Sequence, residues 1–135
     1  MPVRPRPRRG LFDDIFWGHV AQRRLHLQRC AACGSWQYPP VPSCPSCSSR
    51  DLRWTPSCSN ATLLSWVTFE KTYFDSIPAP YTVAACRLDE GPVLLADTAE
   101  AVADLAIDDR MMLQYYDAED QFGAPFKLYR WARVE

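Results

Sequence analysis

The chain has 135 residues, of which 47% are hydrophobic and 23% charged, with a formal net charge of -1. These values exclude wholesale disorder, and no apolar run approaches the roughly 20 residues that span a bilayer as a helix. The length suits one domain, or two small ones, with a real core. The net charge conceals a split. In residues 1–58 nine Arg stand against three Asp, which leaves +6; in residues 59–135 six basic residues stand against thirteen acidic ones, which leaves -7. The change of sign suggests a modular boundary near residue 58.

Residues 1–10 (MPVRPRPRRG) hold four Arg and three Pro. Such a segment cannot form a helix and has little to bury, so it is expected as a mobile basic arm. No apolar h-region follows it, so a secretory signal is not expected and a cytoplasmic location is. In a reducing compartment the six cysteines read as metal ligands or buried thiols before disulfides. Residues 11–24 are predicted as an amphipathic helix, with Phe12, Ile15, Phe16 and Val20 at helical spacing. Asp13 and Asp14 suit the positive helix end, and Gly18 weakens the middle. Residues 25–28 alternate as a short strand would, leading into Cys30.

The next segment, to residue 58, holds five Pro and several Ser. It needs an external staple, and the cysteines supply one. Cys30-Ala-Ala-Cys33-Gly34 and Cys44-Pro-Ser-Cys47 are two knuckles, each aiming a pair of thiolates at one point. Together they give the four-sulfur tetrahedron of a structural zinc site; iron in a rubredoxin-like site uses the same ligands. Four cysteines leave no open position for catalysis at the metal. Cys58 and Cys86 fall outside the spacing and read as small apolar residues, with Cys86 buried in a strand. His26, a conceivable substitute ligand, reads as a surface residue once four cysteines fill the set.

From residue 59 the pattern turns to β. Strands are predicted at 62–69, 81–88, 93–96, 111–116 and 126–133, with a loop at 71–80, a turn at 89–92 and a helical turn or two within 100–107. Five strands with a short helix between the third and fourth are an OB-like order. The nucleophile elbow, P-loop, dinucleotide fingerprint and H-E-x-x-H are all absent from the sequence, so an independent enzyme is not expected. Asp108-Asp109 and Glu119-Asp120 read as solvated turns. Trp66, Phe69, Tyr73 and Phe74 offer aromatic faces for a nucleic-acid module, but the -7 half is the wrong sign for tracking phosphates. The Pro-rich loop with Tyr73, Phe74, Ile77, Pro80 and Tyr81 instead offers rigid apolar anchors for a protein partner.

The segments Phe16-Trp17-Gly18, Gln28-Arg29-Cys30-Ala31-Ala32-Cys33-Gly34, Tyr38-Pro39-Pro40, Cys44-Pro45-Ser46-Cys47, Trp54, Pro80-Tyr81-Thr82-Val83-Ala84 and Leu88-Asp89-Glu90-Gly91 carry a resemblance. Over residues 11–130 the chain resembles the small bacterial and archaeal zinc-ribbon OB-fold proteins associated with acyl-CoA metabolism. It departs at the start of the barrel, where Ser59-Asn60-Ala61 replaces a Gly-x-Gly-like stretch. The resemblance implies a mainly β chain with an N-terminal helix, a rubredoxin-like zinc ribbon and a five-stranded OB-type barrel. The expected divisions are an arm at 1–10, the helix at 11–24, the ribbon at 25–57 and the OB-fold domain at 58–135. It further implies a Zn2+ held by Cys30, Cys33, Cys44 and Cys47, and a non-catalytic subunit of an acyl-CoA-processing complex. The implied partner is a thiolase-like enzyme, two copies of each chain, with a hydratase-like enzyme as second choice and a CoA thioester as ligand of the complex. Tyr73, Phe74, Pro80 and Tyr81 are the candidate contacts for partner or acyl-CoA. The alternatives are a nucleic-acid-binding module and a free-standing acyl-CoA binding protein.

Overall fold

A helix precedes strands that sort into two antiparallel sheets. The computed structural model describes residues 1–134. In chain order the elements are α1 (Leu11–Val20), β1 (His26–Cys30), β2 (Trp36–Gln37), β3 (Leu52–Pro56), β4 (Asn60–Phe69), β5 (Tyr81–Leu88), β6 (Val93–Asp97), a 3-10 turn (Val102–Asp104), β7 (Arg110–Glu119) and β8 (Pro125–Arg133). Among the described residues no helix is long and apolar enough to cross a membrane.

The helix stops four residues short of the expected boundary. Arg23 takes a left-handed φ of 59°. Its N–H bonds the Val20 carbonyl at 2.8 Å, and the Arg24 N–H reaches back to the His19 carbonyl at 3.0 Å. That pair of bonds is a Schellman stop, here built without the usual glycine, so sequence alone does not mark it. Of the apolar positions, α1 buries Phe16 and Val20 and leaves Ile15 exposed.

The first sheet has the order β2-β1-β3, with Leu27 opposite Thr55 and Gln28 flanked by Gln37 and Trp54. The second has the order β6-β5-β4-β7-β8. β4 pairs with β5 along most of its length but with β7 only from Asn60 to Thr62, and its register slips between Leu63 and Ser65. Beyond this bulge the sheet forks: β4 runs on with β5, and β7 runs on with β8. The predicted strands are all present. They form the expected five-stranded OB-type sheet, which stays open: the edge strands β6 and β8 meet only around one parallel bridge, Thr98 to Trp131, beside the Trp131 indole N–H on the Leu94 carbonyl at 3.1 Å.

One apolar cluster joins the parts. Phe16 and Val20 from α1 and Leu25 and Leu27 from the ribbon pack with Leu63, Met111 and Trp131 from the sheet. The ribbon therefore has a core at its base, and only its far end depends on another staple. The fork also corrects the expected mobile arm. It leaves the end of β7 with a free edge, and Val3 pairs there in parallel with Glu119. Arg6 meets Asp120 at 2.7 Å and lies over the Phe126 ring.

Candidate metal centre and apolar wall

The two knuckles repeat one backbone pattern. Cys30 N–H bonds the Ser35 carbonyl and Cys44 N–H the Ser49 carbonyl, each at 2.8 Å; Gly34 N–H returns to the Cys30 carbonyl and Ser48 N–H to the Cys44 carbonyl, each at 2.8 Å. The turn closes on a left-handed residue in both, Gly34 at φ 80° and Ser48 at φ 66°. Cys30 and Cys44 are buried; Cys33 and Cys47 are exposed.

The four Sγ atoms lie within 4.8 Å of one another, with Cys30 to Cys47 at 3.5 Å and Cys33 to Cys44 at 3.6 Å. Zn–S bonds of about 2.3 Å in a tetrahedron set their sulfurs ~3.8 Å apart, so the donor set fits the ion. The Ser35 hydroxyl and backbone N–H draw the Cys33 thiol down to about 6, while the neighbouring sulfurs push that of Cys47 up to about 12, so the fit to the ion rests on the sulfur geometry. The cysteines are thus arranged to bind a zinc ion. His26 is not among them: its ring stacks on His19 at 3.8 Å between centroids.

Gln28 has a role that motif reading missed. Its side chain is buried, donates to the Val41 carbonyl at 3.0 Å and accepts the Val41 N–H at 2.8 Å. The amide therefore clamps the Pro-rich connection between the knuckles, where no strand partner exists. A primary amide just before the first knuckle, facing a segment without regular pairing, was the available signal.

The loop after β4 builds a second feature. Phe69, Lys71, Tyr73, Phe74, Ile77 and Tyr81 line an apolar cavity of about 490 Å³. Three of the four candidate contacts, Tyr73, Phe74 and Tyr81, thus come together; Pro80 is exposed beside Tyr81 but is not part of the wall. Tyr73 remains 70% and Phe74 55% exposed, so these rings do not fold back onto the sheet. Loop and arm hold one another in place. Ile77 N–H bonds the Phe74 carbonyl at 2.9 Å, Ala79 N–H the Thr72 hydroxyl at 2.9 Å, and the Arg4 guanidinium the Ser76 carbonyl at 3.1 Å. Burial pushes the Tyr81 phenol up to about 12, so it stays a neutral donor. Trp66 leaves the proposed aromatic platform and packs against the core.

The remaining cysteines are not activated. Burial drives the Cys86 thiol up to about 12, and burial followed by the nearby Glu90 raises that of Cys58.

Residues 17–53 match the family described as the ChsH2 rubredoxin-like zinc ribbon domain, and residues 54–115 the one described as the ChsH2 C-terminal OB-fold domain. Over 125 residues the chain is 32% identical to a probable enoyl-CoA hydratase alpha subunit of Thermomonospora curvata, covering 91% of this chain and 39% of that one. Over 127 residues it is 28% identical to the 3-oxo-4,17-pregnadiene-20-carboxyl-CoA hydratase alpha subunit of Mycobacterium tuberculosis, covering 93% and 39%. The chain thus spans about two fifths of the length of these curated relatives. Among solved structures it is similar to a chain of an Ltp2-ChsH2(DUF35) aldolase, with a TM-score of 0.83 and 26% identity over 95% of this chain and 98% of that one.

Proposed function

This chain belongs to the ChsH2 family of zinc-ribbon and OB-fold proteins, and on that premise we propose that it is a non-catalytic subunit partnering a thiolase-like aldolase that acts on an acyl-CoA. The observation that carries the reading is the likeness to the Ltp2-ChsH2(DUF35) aldolase over nearly the whole of both chains. At 95% of this chain the shared region extends beyond the zinc ribbon into the sheet. The apolar wall supplies what such an assembly needs: aromatic side chains fixed by backbone bonds, exposed, and carrying one cation, Lys71. A wall with so little positive charge suits a protein surface or an acyl chain better than a nucleic-acid backbone. The partner supplies the chemistry of bond cleavage in this reading, which agrees with the raised thiols of Cys58 and Cys86.

The test is co-expression with a thiolase-like enzyme from the same cells, followed by light scattering on a sizing column. One complex holding two copies of each chain is expected. Tyr73→Asp with Phe74→Asp should weaken it by about 30-fold or more, the loss of one strong anchor. Separate elution at micromolar concentration overturns the reading. A second reading, a hydratase-type partner, is favoured by the names of both curated relatives. The same column run with a hydratase-like enzyme distinguishes the two.

A further inference from the structure

We propose that the cavity where the end of α1 meets β1, β3 and β7 is a binding site for a phosphate group. It has a volume of about 370 Å³, and its lining includes Arg23, Arg24, His26, Ser57, Ser59 and Tyr115. That is many times the roughly 30 Å³ of one water molecule. The site lies outside the zinc centre and shares no residue with the apolar wall.

Two independent observations point to an anionic ligand. First, the side chains of Arg23 and Arg24 make no ion pair and no hydrogen bond among the described residues, whereas Arg6, Arg9 and Arg110 pair with Asp120, Asp14 and Asp89. Second, among the described residues three buried side-chain polar atoms lack a partner, and two of them, His26 Nδ1 and Tyr115 Oη, belong to residues of this one cavity. Buried polar atoms are nearly always satisfied, so two orphans at one place mark a missing partner.

The donor types select the ligand. Two guanidinium forks match the paired oxygens of a phosphate, and a phenol donates to a third oxygen. The nearest carboxylate to the cavity's serines, Glu90, is already held by the Ser57 hydroxyl at 2.8 Å and the Cys58 N–H at 2.9 Å. Arg23 sits at the left-handed helix stop, so the same turn that ends α1 presents both cations. The phosphate can come from free phosphate or from a CoA thioester; the second source rests on the function proposed above, whereas the site does not.

The test uses the zinc-loaded full chain without a partner, so that its outcome is separate from that of the assembly. Backbone and arginine side-chain NMR signals are followed while inorganic phosphate, and in a second arm CoA, is added at constant ionic strength set with chloride. Saturable shifts at Arg23, Arg24, His26 and Tyr115 are expected in at least one arm. Shifts with both ligands support a general phosphate site, and shifts with CoA alone support the CoA source. Arg23→Gln with Arg24→Gln should weaken binding by about tenfold or more, the loss of charge-assisted bonds, with zinc content and Tm unchanged. Tyr115→Phe should weaken it by about threefold while keeping the ring. No saturable shift at these residues in either arm, the same shift with chloride alone, or unchanged binding in the double arginine variant each overturns the proposal.

Discussion

The ribbon and the five-stranded sheet share a core where they meet and are held differently where they part. At the base, Leu25 and Leu27 of β1 pack with Phe16, Val20 and Trp131. Toward the far end of the sheet, order continues through backbone pairing: β7 and β8 stay in register from Met111 opposite Arg133 to Glu119 opposite Pro125. Toward the far end of the ribbon there is almost no pairing to continue, because β2 is two residues long and the connection carries Pro39, Pro40 and Pro42. Four thiolates and one glutamine amide take its place. A sheet can lengthen on hydrogen bonds alone, whereas a Pro-rich segment must be tied through side chains.

The largest break of this comparison is removal of the metal. Structural zinc contributes about 10–16 kcal/mol of apparent stabilisation in small ribbons. Cys44→Ser, or a chelator, should therefore abolish metal binding and release residues 30–52. The shared base and the β7–β8 hairpin should keep their order. Hydrogen exchange reads this directly: amides near Cys30, Cys44 and Leu52 should lose protection, and those of Met111 and Trp131 should retain most of theirs. Equal loss in both places would mean that the two regions form one cooperative unit.

Trp131→Ala is the converse. It empties the position where β8 approaches β6 and removes the indole bond to Leu94. A cost of about 3–5 kcal/mol is expected from urea unfolding. Zinc content in the remaining folded protein should be unchanged, since the ring lies on the sheet's side of the shared core. Gln28→Ala comes next, at about 2–3 kcal/mol, because both the N–H and the carbonyl of Val41 lose their partner. Its effect should appear in the connection between the knuckles, and Gln28→Leu should not rescue it, since bulk is not what the amide supplies.

These features differ in how far sequence reveals them. The strands were legible because alternation and β-branched runs are local signals, and so were the metal ligands, because two short spacings encode them. What stayed hidden depends on contacts distant in sequence. That the sheet stays open, with β6 and β8 meeting only around Thr98 and Trp131, turns on strands far apart in sequence. The arm docks because the fork of the sheet frees the end of β7, so nothing within residues 1–10 announces it. The early helix stop uses arginine where glycine is the usual mark. Of the apolar wall, the aromatic loop was legible; the exclusion of Pro80 was not, since it turns on how the loop folds, nor was the departure of Trp66, which turns on the face of the sheet it takes.

The docked arm makes the comparison sensitive to acid. Arg6, then the backbone N–H of Ala124 and that of Phe122, hold the Asp120 carboxyl below its ordinary 3.8. A carboxyl depressed in the folded state stabilises it above the unfolded value, and that contribution disappears as pH falls through the lower folded value. The amide of Arg4, which bonds the Glu119 carbonyl at 2.9 Å, should therefore lose protection below about pH 4 before β7 and β8 do. Asp120→Asn should show weak protection at neutral pH as well, with no further acid step. An arm that stays protected to the acid limit of the sheet would mean that its pairing with Glu119, rather than the ion pair, holds it.

The smallest effect falls on the element that both regions use. Gly18 lies on the exposed side of α1, and a Cβ built there meets nothing within 4 Å. Gly18→Ala should stabilise by about 0.5–1 kcal/mol, through a less flexible unfolded chain and better helix propensity. Because Phe16 and Val20 on the opposite side touch ribbon and sheet alike, the gain should register in both, as slower exchange at Leu27 and at Met111. A gain confined to the ribbon would show that α1 belongs energetically to it alone, and that the sheet keeps its own stability through Trp131 and the β7–β8 pairing.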